Sequence, residues 1–197
     1  MAVTDYYGKI PPQKPGIKPA NVRVSSLLNY DTSTAVSKTD PPKKKMLFLL
    51  LYIRERAWTT THLHPDVPFN QLANSIYQYT RSKSFADKLG NRNLEIELDT
   101  IPRSFTYHNI FNTYAIFVHT SRFYYQPNYH DIKVNYTIWG EGVPDKKGSF
   151  IIEDPNRLVN MGYFQSFKGL LTEYLTNYDA QLKRLGPEIA KRIQQQL

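Results

Sequence analysis

The sequence contains no cysteine. Disulfides, thiol nucleophiles and cysteine-ligated zinc are thereby excluded, whereas the compartment is left open, since cytosolic and periplasmic proteins alike can do without the residue. Nor is there a run of the ~20 apolar residues that a membrane-crossing helix needs. The longest run, Met46 to Ile53, has eight residues. Lys43, Lys44 and Lys45 precede it in the manner of a signal peptide, but it lies mid-chain, and Arg54-Glu55-Arg56 stands where a small-residue cleavage site would fall. Its composition predicts a buried central strand instead. Phosphate-loop chemistry is missing as well. Gly140-Glu141-Gly142 is a lone glycine pair with no following Lys-Ser/Thr at a helix start. No serine occupies a Gly-x-Ser-x-Gly elbow.

What is present is an ordinary globular composition, 41% apolar and 21% charged. The 197 residues suffice to build one domain around one core. Aromatics reach 14%, and 15 of them are tyrosine. Tyrosine suits half-buried sheet surfaces, because its ring packs while its hydroxyl reaches water. The net charge of +8 points first towards nucleic acid or an anionic surface. Its distribution argues otherwise. Residues 1–45 carry eight Lys/Arg against three Asp/Glu, while residues 46–159 carry twelve against eleven. The basic excess is thus assigned to the lead, the apparent core is close to neutral, and no nucleic-acid partner is expected.

Along the chain, Pro11, Pro12, Pro15 and Pro19 make residues 1–20 an extended lead. Val22 to Leu28 reads as a first strand, Asp31 to Lys45 with Pro41-Pro42 as a loop, and Met46 to Trp58 as the strongest strand. A helix follows, with Pro68 at its first position, Phe69, Leu72, Ala73 and Ile76 on one face, and Gly90-Asn91 as its stop. Leu94, Ile96 and Leu98 then alternate with Glu95, Glu97 and Asp99, the pattern of a strand with one wet face. Asn112 to Tyr125 reads as one long strand. Ile132, Val134, Tyr136 and Ile138 alternate again, Asp145 to Gly148 is a turn signal, and Ser149 to Glu153 is its hairpin partner. An amphipathic helix runs from Phe164 to Leu185, ended by Gly186 as cap and Pro187 as the start of a new turn. The expected fold is α+β: a two-layer sandwich, mostly antiparallel sheet with helices on one face. Its parts are the lead (1–20), a single domain (21–185) and a C-terminal helical extension (186–197).

The candidate sites are few. His62 and His64 lie two apart on an extended segment, so both imidazoles can point the same way, with Asp66 or one of His108, His119 and His130 as a third ligand. Val67 breaks the longer HxHxDH pattern, and surface-loop histidines ahead of a helix are the simpler reading of the pair. Glu95, Glu97 and Asp99 could pair for acid–base work, but their spacing is that of a solvated strand face. Asn135-Tyr136-Thr137 is a formal glycosylation sequon in mid-strand. Arg122 with Tyr124 and Tyr125 is the remaining candidate, an arginine among rings that can grip an anion or stack on a planar group. No residue set calls for a cofactor or a bound metal.

The order of elements resembles that of small bacterial cell-envelope lipoproteins of the lipopolysaccharide-assembly or transporter-auxiliary type. It is carried by the Tyr6-to-Pro19 tether, the Met46–Trp58 strand, the Phe69 helix, the meander over 112–153 and the Phe164–Leu185 helix. The lipidated cysteine of such proteins is not in this sequence, so the resemblance implies the mature part behind an anchor. It further implies a non-enzymatic protein of the periplasm or outer membrane that binds a partner protein or an envelope component, touching the membrane only through that anchor. Two alternatives stand beside it: a metal-dependent enzyme centred on His62 and His64, and a cytoplasmic nucleic-acid-binding or particle-assembly protein.

Overall fold

A computed structural model describes residues 18–27, 36–47, 51–115, 117–129, 131–153 and 157–197. Most of the expected lead, part of the expected 31–45 loop, the middle of the Met46–Ile53 run and His130 lie outside the described residues. The fold is α+β, with helices packed on mostly antiparallel sheet. The strands divide into two sheets. Four of them, β1 (Val22–Ser26), β4 (Asn93–Thr100), β7 (Asp131–Gly140) and β8 (Val143–Glu153), form one sheet in that order. Only β1 with β4 is parallel there. The other sheet is antiparallel and runs β2 (Val36–Leu47), β3 (Tyr52–His62), β5 (Ser104–Tyr114), β6 (Val118–Pro127) and β9 (Val159–Asn160).

The alternation predicted for β4 and β7 is what builds the core. Leu94, Ile96, Leu98, Ile132, Val134 and Ile138 are buried on one face of the four-stranded sheet. Against them pack α1 (Asp66–Thr80), α2 (Lys83–Leu89) and α3 (Phe167–Gln194), through Leu72, Ile76, Phe85, Leu182, Leu185 and Ile189. Each such side chain contributes about 1.5–3 kcal/mol of burial. Tyr77 of α1 reaches the edge strand, where its hydroxyl accepts the Val24 amide at 3.0 Å. That bond satisfies a donor left without a strand beyond it. The first turns of α3 serve the second sheet instead: Tyr174 packs on Phe105 and Tyr125, and Phe167 stands edge-on to Phe123 and Tyr107.

Several expected boundaries move, each for a physical reason. The Met46–Trp58 strand is in fact the end of β2 and most of β3. Leu47 pairs with Tyr52, so the apolar run marks a hairpin end, and Met46, Leu47 and Leu51 are exposed. Pro41 and Pro42 do not exclude a strand, because β2 is an edge strand and they fall in a register shift between Asp40 and Lys43, where no ladder donor is needed. Asn112–Tyr125 is likewise two strands, folded at Ala115, whose φ is 47°. The turn between β7 and β8 is Gly140-Glu141-Gly142, with Gly142 at φ 75°, a left-handed conformation that favours glycine. Asp145 to Gly148 lies inside β8, with Gly148 beneath the Tyr136 ring. Helix α1 begins at Asp66, two residues before Pro68, and tolerates that proline because amides of the first turn have no helical acceptor. Helix α3 begins at Phe167 behind a Ser166 cap that accepts the Gly169 amide at 3.1 Å, the usual chemistry of a helix start. It runs unbroken through Gly186 and Pro187, so residues 186–197 are no appendage: Ile189, Ala190 and Ile193 are part of the core.

Candidate functional site

Cross-strand register decides which side chains share a face, because directly paired residues point the same way. On the five-stranded sheet, Lys43, Arg56, Ile110 and Arg122 form one row across β2, β3, β5 and β6. The adjacent row on the same face holds Asp40, Trp58, His108, Tyr124 and Asn160. The next holds Lys38, Thr60, Thr106 and Gln126. Cations, rings and hydroxyls are thus laid out in parallel lines on the face turned away from α3. The middle of these rows floors an open depression of about 620 Å³ lined by Arg56, Trp58, Thr60, Thr106, His108, Tyr124 and Asn128, among others.

The rows are internally fixed. His108 stacks on Tyr124 with ring centres 4.6 Å apart and planes 17° off parallel. The Arg122 guanidinium lies over the Tyr124 ring, 5.1 Å from its centroid, and donates twice to Asn160 Oδ1 at 3.2 and 3.1 Å. Lys43 Nζ sits 5.0 Å from the Trp58 ring. Thr60 and Thr106 share a hydrogen bond of 3.0 Å, and Thr106 donates to Asn128 Oδ1 at 2.8 Å. Burial first, and the Arg56 guanidinium second, hold the His108 imidazole below its usual value and therefore neutral at pH 7.

Charge is unevenly sorted between the two faces of the β2–β3 hairpin. Lys44 faces Glu55 across the strands and makes an ion pair of 2.9 Å. On the candidate face the pairs are Lys43 with Arg56 and Lys45 with Arg54, cation opposite cation. Such pairs destabilise a sheet. The Arg54 Nε is buried and has no hydrogen-bond partner among the described residues. Among those residues, no carboxylate forms an ion pair with Lys43, Lys45, Arg54, Arg56 or Arg122.

Of the residues singled out from sequence, Arg122 and Tyr124 are brought together here, whereas Tyr125 is turned to the opposite face. There it packs against Phe105, Tyr107 and Tyr174, and burial raises its phenol above the ordinary value. Tyr107 beside it is pushed up to about 12, by burial first and by Tyr125 second. His119 is also on the opposite face, stacked on Phe111. His62 is exposed at the end of β3, and His64 bends to the start of α1, where Nδ1 accepts the Asp66 amide at 3.3 Å and stands 3.6 Å from the Asp66 carboxylate. No group of three His, Cys, Asp or Glu able to hold a metal occurs among the described residues. The acidic ladder is structurally occupied: Glu95 meets Arg23 at 3.6 Å, Glu97 accepts from Asn135 at 3.2 Å, and Asp99 meets Lys133 at 2.5 Å.

Sequence reading missed Lys43, Arg56 and Trp58, and weighed His108 only as a third metal ligand. The signal available was the parity of Arg54, Arg56, Trp58 and Thr60, which puts all four on one side of any strand. The basic excess was also misplaced, because Lys43 and Lys45, counted with the lead, belong to β2 and to this face. No family model, no curated protein and no solved structure matches the chain.

Proposed function

We propose that the protein is a non-enzymatic binding module that receives an anionic ligand on the outer face of its five-stranded sheet: an acidic segment of a partner protein or a phosphate-bearing envelope component. The observation that carries this reading is the like-charged register of Lys43 with Arg56 and Lys45 with Arg54. A sheet that sets cations opposite one another weakens itself by about 0.2–1 kcal/mol per pair, and a bound anion reverses the sign of that term. The ring row of Trp58, His108 and Tyr124 supplies a platform beside it for planar groups. The cell envelope, periplasm or outer membrane, is proposed as the setting on the order of elements alone.

The test uses Trp139→Phe, which leaves Trp58 as the reporter. Titration of the full chain with an oligoglutamate peptide and with pyrophosphate is expected to quench Trp58, less so at higher salt. Arg56→Ala with Arg122→Ala is expected to weaken binding about tenfold or more. Binding that ignores both salt and these substitutions would refute the reading. A second reading rests on the same rings, since bases of single-stranded nucleic acid stack on such rows between flanking cations. It requires oligothymidylate to bind more tightly than oligoglutamate, and that preference to vanish in Tyr124→Ala.

A further inference from the structure

At one end of the five-stranded sheet the two hairpins close side by side, and both ends are apolar. Met46, Leu47 and Leu51 are exposed by 44%, 45% and 48% on one, and Phe117 and Val118 by 86% and 55% on the other. The Ala115 amide donates to the Leu51 carbonyl at 3.1 Å, tying the ends together. Leu51 and Ala115 both hold positive φ, 44° and 47°. Glycine or asparagine suits such positions better, and a leucine there is held against its backbone preference with its side chain half exposed. No core lies beneath among the described residues. Before Thr61 no residue of β3 is buried, and none of β5 beyond Thr106.

From the apolar ends inwards the side chains follow an order. Tyr52 and Tyr114 stand at the base of the ends, paired with Leu47 and Val118 and packed ring to ring at 5.0 Å. Cations come next. Lys45 stands two residues from Leu47, and Arg122 four from Val118. At the rise of an extended strand these steps place the two cations about 7 Å and about 13 Å behind the ends. Residues 43–47, 51–56 and 110–122 together hold six Lys/Arg (Lys43, Lys44, Lys45, Arg54, Arg56, Arg122) against one carboxylate, Glu55. An apolar tip with tyrosines at its base and a cationic collar behind them matches the acyl and headgroup layers of an anionic bilayer.

We infer that the paired hairpin ends insert into the surface of an anionic membrane, with Leu47, Leu51 and Phe117 among the acyl chains and Lys45 and Arg54 at the headgroup phosphates. An anionic bilayer meets both the apolar ends and the collar, whereas an acidic segment of a protein meets the collar alone. The inference shares Lys45 and Arg54 with the proposed anion face but adds the tip residues, so loss of vesicle binding on tip substitution is read separately from the soluble-ligand titrations at Trp58.

Co-sedimentation of the full chain with phosphatidylcholine vesicles, with and without phosphatidylglycerol, tests it. Binding to the anionic vesicles and not to the neutral ones is expected. Leu47→Ser with Phe117→Ser should lower that binding by about tenfold per residue, and Lys45→Gln with Arg54→Gln by about fivefold per charge. Leu47, Phe117 and Lys45 are exposed and Arg54 is half-buried, and thermal melts matching the wild type confirm that each variant is folded. Independently of any loss, Phe117→Trp should show a blue-shifted emission component on anionic vesicles that nitroxide-labelled acyl chains quench. Three results overturn the inference: no binding to either vesicle, anionic binding unchanged by the tip substitutions, or a self-associating chain whose dimer, and not vesicle binding, is lost with the tips. The last would assign the ends to a second copy of the chain.

Discussion

The hydroxyl of Ser75 in α1 donates to the main-chain carbonyl of Lys183 in α3 at 2.5 Å. That carbonyl is the one Pro187, four residues on and lacking an N–H, leaves without its helical partner. Gly186 makes the approach feasible, since a Cβ there would stand 2.5 Å from Ser75 Cβ and 2.9 Å from the Ile76 nitrogen. A neighbouring helix therefore repairs the defect that proline introduces, and α3 continues to Gln194.

This repair can be measured by a double-mutant cycle in denaturant unfolding. Ser75→Ala is expected to cost about 1–3 kcal/mol by leaving the carbonyl buried and unpaired. In a Pro187→Ala background the new amide can serve Lys183, and the same substitution should cost little. Equal costs in both backgrounds would dissociate the serine from the proline. Gly186→Ala should cost about 1–3 kcal/mol by forcing the helices apart.

The cation pairs of the β2–β3 hairpin predict a trade of binding against stability. Lys45→Glu places a carboxylate opposite Arg54 and should raise stability by about 0.2–1 kcal/mol. The same change should weaken binding of pyrophosphate and of anionic vesicles several-fold. A variant that neither gains stability nor loses binding would show the register to be without consequence.

His108 predicts the pH behaviour of the site. Its imidazole is held below the ordinary 6.5 by burial and by Arg56, so the unfolded chain takes up the proton first. The stability that depends on neutral His108 is full above that value and is lost as the pH falls through the lower, folded-state value. An anion above the Arg56–Arg122 row acts oppositely, favouring the imidazolium and raising its titration point. Affinity for an anion should therefore increase on acidification, and NMR titration of the ring should move to higher pH on adding pyrophosphate. A His108 titration unmoved by saturating anion would place the ligand elsewhere.

Local pattern was enough wherever one face of an element meets the core. The period of two in Leu94–Leu98 and Ile132–Ile138, and the three- and four-residue steps from Leu171 to Leu185, fix buried faces without reference to the rest of the chain. Turns that depend on what lies opposite were not readable in this way. Met46–Ile53 has the composition of a core strand, and only the pairing of Leu47 with Tyr52 reveals that a hairpin closes there, with Met46, Leu47 and Leu51 exposed. Gly186-Pro187 has the chemistry of a helix stop, and only Ser75, more than a hundred residues earlier, cancels it.

The candidate face divides along the same line. The sequence reading grouped Arg122, Tyr124 and Tyr125, and the fold keeps only the first two on one face, Tyr125 packing on the other side with Phe105 and Tyr174. Tertiary structure decided that Lys43, Arg56, Trp58 and His108 stand beside Arg122 and Tyr124, because sheet register is set between segments far apart in the chain. It also decided where the charge lies. Counted along the sequence, the basic excess belongs to a tail, but antiparallel pairing carries Lys43 and Lys45 into a sheet, opposite two arginines.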